Sequence, residues 1–137
     1  MPDCFWRKFF TLKGAFGAIN GPLNRAVYEG ATNVTIACET DNYPFLDWTI
    51  FPFSENGYYD LTTNGQLNPS FSELFAIDHP SGTGVYNLIV LNSTISRPDW
   101  SPFSTAAFYE CSNIVTNSMP AAGAGASLVV ISKYELF

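Results

Sequence analysis

The residues able to do chemistry in this chain are few. They are three cysteines (Cys4, Cys38 and Cys111), one histidine (His79), and twelve carboxylates set against six basic side chains. A Ser–His–Asp triad would have to be built on His79, which lies in the turn sequence "DHPSG" with nothing to place a serine beside it. One histidine and no Cys/His cluster exclude the common zinc sites. Asp41, Asp47, Asp60 and Asp78 are dispersed and form no calcium-loop motif. Glu39, Asp47 and Glu110 could meet on one sheet, where a glycosidase would need its carboxylate pair, but on strands they read as solvated surface charges. No catalytic set, metal or cofactor is expected.

Cys38 and Cys111 sit in strand-like runs. Runs 34–39 ("VTIACE"), 46–51 ("LDWTIF"), 85–92 ("VYNLIVLN"), 106–113 ("AAFYECSN") and 126–132 ("ASLVVIS") alternate apolar and polar residues, as half-buried strands do. Their inward sets are Val34, Ile36 and Cys38; Leu46, Trp48 and Ile50; Tyr86, Leu88 and Val90; Ala107, Tyr109 and Cys111; and Leu128 and Val130. "YYDLT" and "FSELFAI" are weaker strand candidates. Turn signals such as "DNYP", "TTNG", "HPSGTG" and "RPDWSP" separate the runs, the rhythm of a sandwich or barrel. The composition agrees: 47% hydrophobic, 16% aromatic and only 13% charged residues describe a packed domain rather than a disordered one. An all-β fold of two packed antiparallel sheets is predicted.

Other classes are disfavoured. A net charge of −6 with no basic patch lacks the footprint of a nucleic-acid binder. No run approaches the roughly 20 apolar residues of a membrane span. Any membrane attachment would come through a region outside this chain.

Cys38 and Cys111 stand 73 residues apart, Trp48 follows Cys38 by ten residues, and Tyr109 precedes Cys111 by two. This Cys–Trp–Tyr-x-Cys set resembles the immunoglobulin fold. The 73-residue spacing resembles the variable (V-set) type, and "EGATNVTIAC" is similar to that family's entry into its second strand. "GAGASLVV" (123–130) resembles the joining segment of antigen-receptor variable domains, with Gly123, Gly125, Leu128 and Val130 matching. The resemblance covers roughly residues 15–132 and is nearest in flavour to variable (VJ-like) domains of lower-chordate immune-type receptors. It implies a Greek-key β-sandwich with an inter-sheet Cys38–Cys111 disulfide, a core built on Trp48, Leu88 and Tyr109, and a glycine bulge in the last strand. There are departures: Ala122 replaces the joining aromatic, Thr105 replaces an acid, and the connection at 93–105 is long. They argue against a rearranging receptor chain and fit a divergent V-type domain.

The implied function is extracellular recognition. The sheet of the family's strands G, F, C and C′ would carry Phe51, Phe53, Tyr58 or Tyr59, Phe108 and Glu110 outward, an aromatic patch with acidic neighbours that suits a partner surface. Related domains pair through this face, so a homodimer is expected, with loops 39–45, 55–70 and 112–122 free for an unknown protein or glycan ligand. A homophilic adhesion domain is the alternative, and a carbohydrate-binding sandwich the third reading. Asn33-Val-Thr and Asn92-Ser-Thr are glycosylation sequons, while Asn68-Pro-Ser is excluded by its proline. With a structural disulfide they place the domain on the secretory route, secreted or at the cell surface.

Residues 1–13 read as a native or vector-derived arm, 14–132 as the domain, and 133–137 as the start of a linker. Cys4 is either a free thiol or an interchain partner. The arm is basic and aromatic (Phe5, Trp6, Arg7, Lys8, Phe9, Phe10, Lys13), whereas 14–132 holds two basic and ten acidic residues.

Overall fold

The computed structural model describes residues 19–41, 44–95, 104–113 and 122–132. The arm 1–13 with Cys4, the segment 133–137, Trp100, Phe103 and most of the loop 112–122 lie outside the described residues.

Twelve strands, among them seven of two to four residues, form the described chain. They are β1 (Ile19–Asn20), β2 (Arg25–Tyr28), β3 (Thr32–Ile36), β4 (Glu39–Thr40), β5 (Asp47–Pro52), β6 (Tyr59–Asp60), β7 (Thr62–Thr63), β8 (Gln66–Leu67), β9 (Phe75–Asp78), β10 (Asn87–Asn92), β11 (Ala107–Asn113) and β12 (Ala122–Ile131). A short 3-10 turn covers Pro69–Phe71, and no α-helix occurs among the described residues. One sheet has the order β3-β10-β9; the other has the order β2-β12-β11-β5-β6. β1 pairs with β4, and β7 with β8.

The alternation read from the sequence explains the core. On β5 the side chains of Trp48 and Ile50 are buried while Asp47, Thr49 and Phe51 are half-buried. On β11 Ala107, Tyr109, Cys111 and Asn113 are buried. From the other sheet come Val34, Ile36, Cys38, Leu88, Val90 and Phe75, and the two inner faces meet in one cluster. The Phe75 and Tyr109 rings meet across it edge to face, 6.1 Å apart. Burying an aromatic or branched aliphatic chain this fully contributes about 1.5–3 kcal/mol each.

The Cys38–Cys111 disulfide joins the segment leaving β3 to the middle of β11, and so ties the two sheets together. Trp48 is the register partner of Cys111, and its indole N–H donates to the Tyr86 carbonyl at 2.8 Å. That bond satisfies the one polar atom of a side chain with no exposure at all. The Tyr109 hydroxyl, equally buried, donates to the Thr105 carbonyl at 2.6 Å. Thr105, at the place of an acid in the resembling family, uses its own hydroxyl instead. Its Oγ1 accepts from the Thr94 N–H at 2.8 Å and so clamps the end of the β9–β10 sheet to the start of β11.

Several expectations need revision. The run 34–39 is two strands, with β3 ending at Ile36 and β4 turning to pair with β1. β12 is longer than 126–132 and contains no glycine bulge: its pairing with β11 runs unbroken from Ala107↔Leu128 to Asn113↔Ala122. β1 and β2 lie outside every alternating run of the sequence; they are held by β4 and, in parallel, by β12.

Candidate functional site: the outer face of the five-stranded sheet

The residues on the solvent side of β5, β6, β11 and β12 follow from register. Phe108 pairs with Phe51, Glu110 with Thr49, and Ser112 with Asp47. Thr49 in turn pairs with Asp60. On β12, Ser127, Gly125 and Gly123 stand opposite Phe108, Glu110 and Ser112. The face is thereby split along the strands, with Phe108 and Phe51 toward the β5 C-terminal end and Glu110, Asp60 and Asp47 toward its N-terminal end.

The aromatic half is a contiguous row. The Phe51 ring lies 5.8 Å from Tyr58 and 6.1 Å from Phe108, both tilted. Tyr58 is 61% and Phe108 37% exposed with Phe51 half-buried between them, so the row faces solvent, and Phe53 is 56% exposed. Val129 on the neighbouring β12 adds an exposed apolar side chain that the sequence reading missed. Gly125 has a packing role: a Cβ built on it would overlap the Phe108 ring, so the bare backbone is what lets this ring lie across β12.

Tyr59 does not belong to this face. It pairs with Ile50, a core residue, and therefore points inward. Its ring meets Phe71 at 6.3 Å, and its hydroxyl donates to Glu55 at 2.6 Å. The Glu55 carboxylate that accepts this bond favours the protonated phenol, and the Tyr59 pKa is raised above 10 chiefly by it. Of the two adjacent tyrosines, only Tyr58 is on the outer surface.

The other half of the face is acidic. Glu110 is half-buried beside the glycines of β12. Asp60 accepts a long hydrogen bond from Thr49 at 3.4 Å. Asp47 is committed to structure: its Oδ1 accepts from the Thr62 hydroxyl at 2.7 Å and the Gly65 N–H at 2.8 Å. Glu39 lies elsewhere, on β4 opposite Asn20, so the structure does not bring it to Asp47 and Glu110. No group of three or more metal-ligating side chains occurs among the described residues.

The loops at this end are joined at their bases. Asn113 Nδ2 donates to the Phe45 carbonyl at 2.7 Å, and the Tyr86 hydroxyl to the Pro44 carbonyl at 3.1 Å. The β7–β8 turn carries Asn64 and Gly65 at φ 53 and 79, the paired left-handed conformation that an Asn-Gly hairpin adopts. Gly65 also packs where a Cβ would stand 2.9 Å from the Tyr86 ring. His79 stacks on Tyr86 with ring centroids 4.0 Å apart, and its Nδ1 is hydrogen-bonded to the Val85 carbonyl at 2.7 Å.

Both sequons lie at the opposite end. Asn92 closes β10 and pairs with Thr32, the residue before Asn33. Both asparagines are exposed.

No protein-family model matches the chain, and no curated protein matches it.

Proposed function

We propose that this chain is a V-type immunoglobulin-like recognition domain, secreted or carried at a cell surface as part of an immune-type receptor. It acts by binding, through the outer face of β12, β11, β5 and β6 and the adjoining loops. The observation that carries the reading is the solvent-facing row of Tyr58, Phe51 and Phe108 on the outer face of the sheet. Aromatic side chains grouped on one open face are the usual energetic centre of a protein interface. The type of domain is supported by the cross-sheet disulfide, the buried Trp48, the Tyr109–Thr105 bond and the parallel β2–β12 pairing. A disulfide, with no helix long and apolar enough to cross a membrane among the described residues, is compatible with an extracellular location.

The partner that fits the row first is a second copy. An isologous pair would bring the two aromatic rows together, and the acidic halves would lie to either side of the axis. Sedimentation equilibrium of the oxidised protein tests this beside Phe108→Arg and Cys4→Ser. A reversible dimer is expected for the wild type and Cys4→Ser, weakened at least about ten-fold by Phe108→Arg. A wild type that stays monomeric into the high micromolar range overturns self-association and reserves the face for a different protein.

A further inference from the structure

The two sequons differ in what folding does to them. Transfer needs two groups presented together: the asparagine amide and the hydroxyl two residues on, which the transferase must grip. In Asn33-Val34-Thr35 both are on the surface. Asn33 and Thr35 are exposed, and β3 is an edge strand of its sheet. Asn33 itself adopts φ 52 and is skipped by the ladder, which pairs Val34 with Val90 and Thr32 with Asn92. An exposed, left-handed asparagine on an edge strand has few contacts to hold it, the condition under which local opening costs least.

In Asn92-Ser93-Thr94 only the amide is on the surface. Ser93 is fully buried and Thr94 is 7% exposed. The Ser93 N–H donates to the Ala31 carbonyl and the Gly30 N–H to the Ser93 carbonyl, each at 2.8 Å. The Thr94 N–H donates to Thr105 Oγ1 at 2.8 Å, and the Thr105 N–H to the Thr94 carbonyl at 2.9 Å. The same Thr105 carries the carbonyl that holds Tyr109. Freeing the Thr94 hydroxyl therefore means undoing the junction between the two sheets, an opening close to global unfolding. Yet that hydroxyl, like the one on Ser93, has no hydrogen-bond partner among the described residues. The described fold makes no use of the group that the sequon requires.

We propose that Asn92 is an acceptor only before the domain closes, whereas Asn33 remains an acceptor in the folded domain. The two glycans would be rooted on paired strands, about 7 Å apart by strand spacing. Together they would screen the end opposite the loops. This rests on the secretory-route reading above. In each transfer the amide nitrogen attacks C1 of a polyprenyl-pyrophosphate-linked oligosaccharide. The C1–N bond forms as the C1–O bond breaks, the pyrophosphate departs as an anion, and the amide gives up one proton to a base of the transferase.

The test presents the unglycosylated full chain to a purified oligosaccharyltransferase with lipid-linked oligosaccharide, and reads each site by peptide mass. The oxidised, folded chain is expected to be modified at Asn33 with loss of transfer at Asn92. The reduced and carboxymethylated chain, checked as unfolded by near-UV circular dichroism, is expected to be modified at both. Transfer to Asn92 in the folded chain, to neither site in it, or to Asn33 alone in the unfolded chain overturns the proposal. Thr94→Val should abolish transfer to Asn92 in the unfolded chain with Tm unchanged or raised, and Ser93→Ala should keep both transfers. A lower Tm for Thr94→Val would show the hydroxyl to be bonded and would remove the argument. The assay is independent of the compartment. A chain that shows this order in vitro but leaves secretory cells bare refutes the location, not the order.

Discussion

At the scale of single residues, Tyr109 carries the most weight. It is fully buried, and desolvation of the phenolate raises its pKa well above 10. In the unfolded chain the same hydroxyl ionises near 10. The folded pKa is therefore the higher one. The stability linked to Tyr109 is fully present below pH 10 and drains away as pH rises above it, because only the unfolded chain gives up the proton. Burial also raises Tyr86, in the same direction, with the charge of Asp47 adding to it. Stability measured by denaturant unfolding should thus be flat to about pH 9 and fall beyond pH 10. In Tyr109→Phe that fall should be shallower. The same variant should cost about 2 kcal/mol at neutral pH, since it strands the buried Thr105 carbonyl. Equal alkaline slopes in the two proteins would refute the assignment to Tyr109.

Among the elements, the decisive feature is the link from the end of β3 to β11. It closes a loop of 73 residues, for which chain-entropy reasoning gives about 4 kcal/mol. Cys38→Ala/Cys111→Ala should lose roughly that amount in urea titration; a loss under about 1 kcal/mol would mean that the unfolded chain is already compact. These central strands were legible in the sequence because each is long enough for period-two alternation to show. Leu46, Trp48 and Ile50 against Asp47 and Thr49 is a pattern that only a half-buried strand produces. β1, with two residues, and β2, with four, are too short to carry a period and exist because distant strands pair with them. The same shortness hid which of Tyr58 and Tyr59 faces out, since β6 begins between them and only its register with Ile50 decides. The glycines of β12 suggested a bulge. Their effect depends on where the Phe108 ring lies, a contact between strands that no local pattern encodes. For the candidate site, the aromatic members were readable as outward positions. The division into aromatic and acidic halves was not, because it needs the β11–β5 register.

At the scale of the whole molecule the net charge is −6, and over the described residues it is strongly one-signed, with nine carboxylates and a single arginine. That arginine, Arg25, donates to the Thr35 carbonyl and not to an acid. Two copies approaching through the proposed face must overcome mutual repulsion, which salt screens over about 10 Å at 0.1 M. Dimerisation should therefore strengthen several-fold between 0.02 and 0.5 M sodium chloride in sedimentation runs; weakening with salt would point to an ion-paired contact instead. A different consequence follows from the parallel pairing of β2 with β12. These strands belong to the two ends of the domain and run side by side in the same direction. A force that pulls the chain ends apart drags them past each other, so every rung from Leu128↔Arg25 to Ile131↔Tyr28 is loaded at once and the ladder shears rather than unzips. Behind it, the covalent bond between Cys38 and Cys111 keeps the chain between them from lengthening at all. Under tension the domain is a clasp that resists first at its terminal strands and, once these slip, yields only the short lengths of chain outside the bridge.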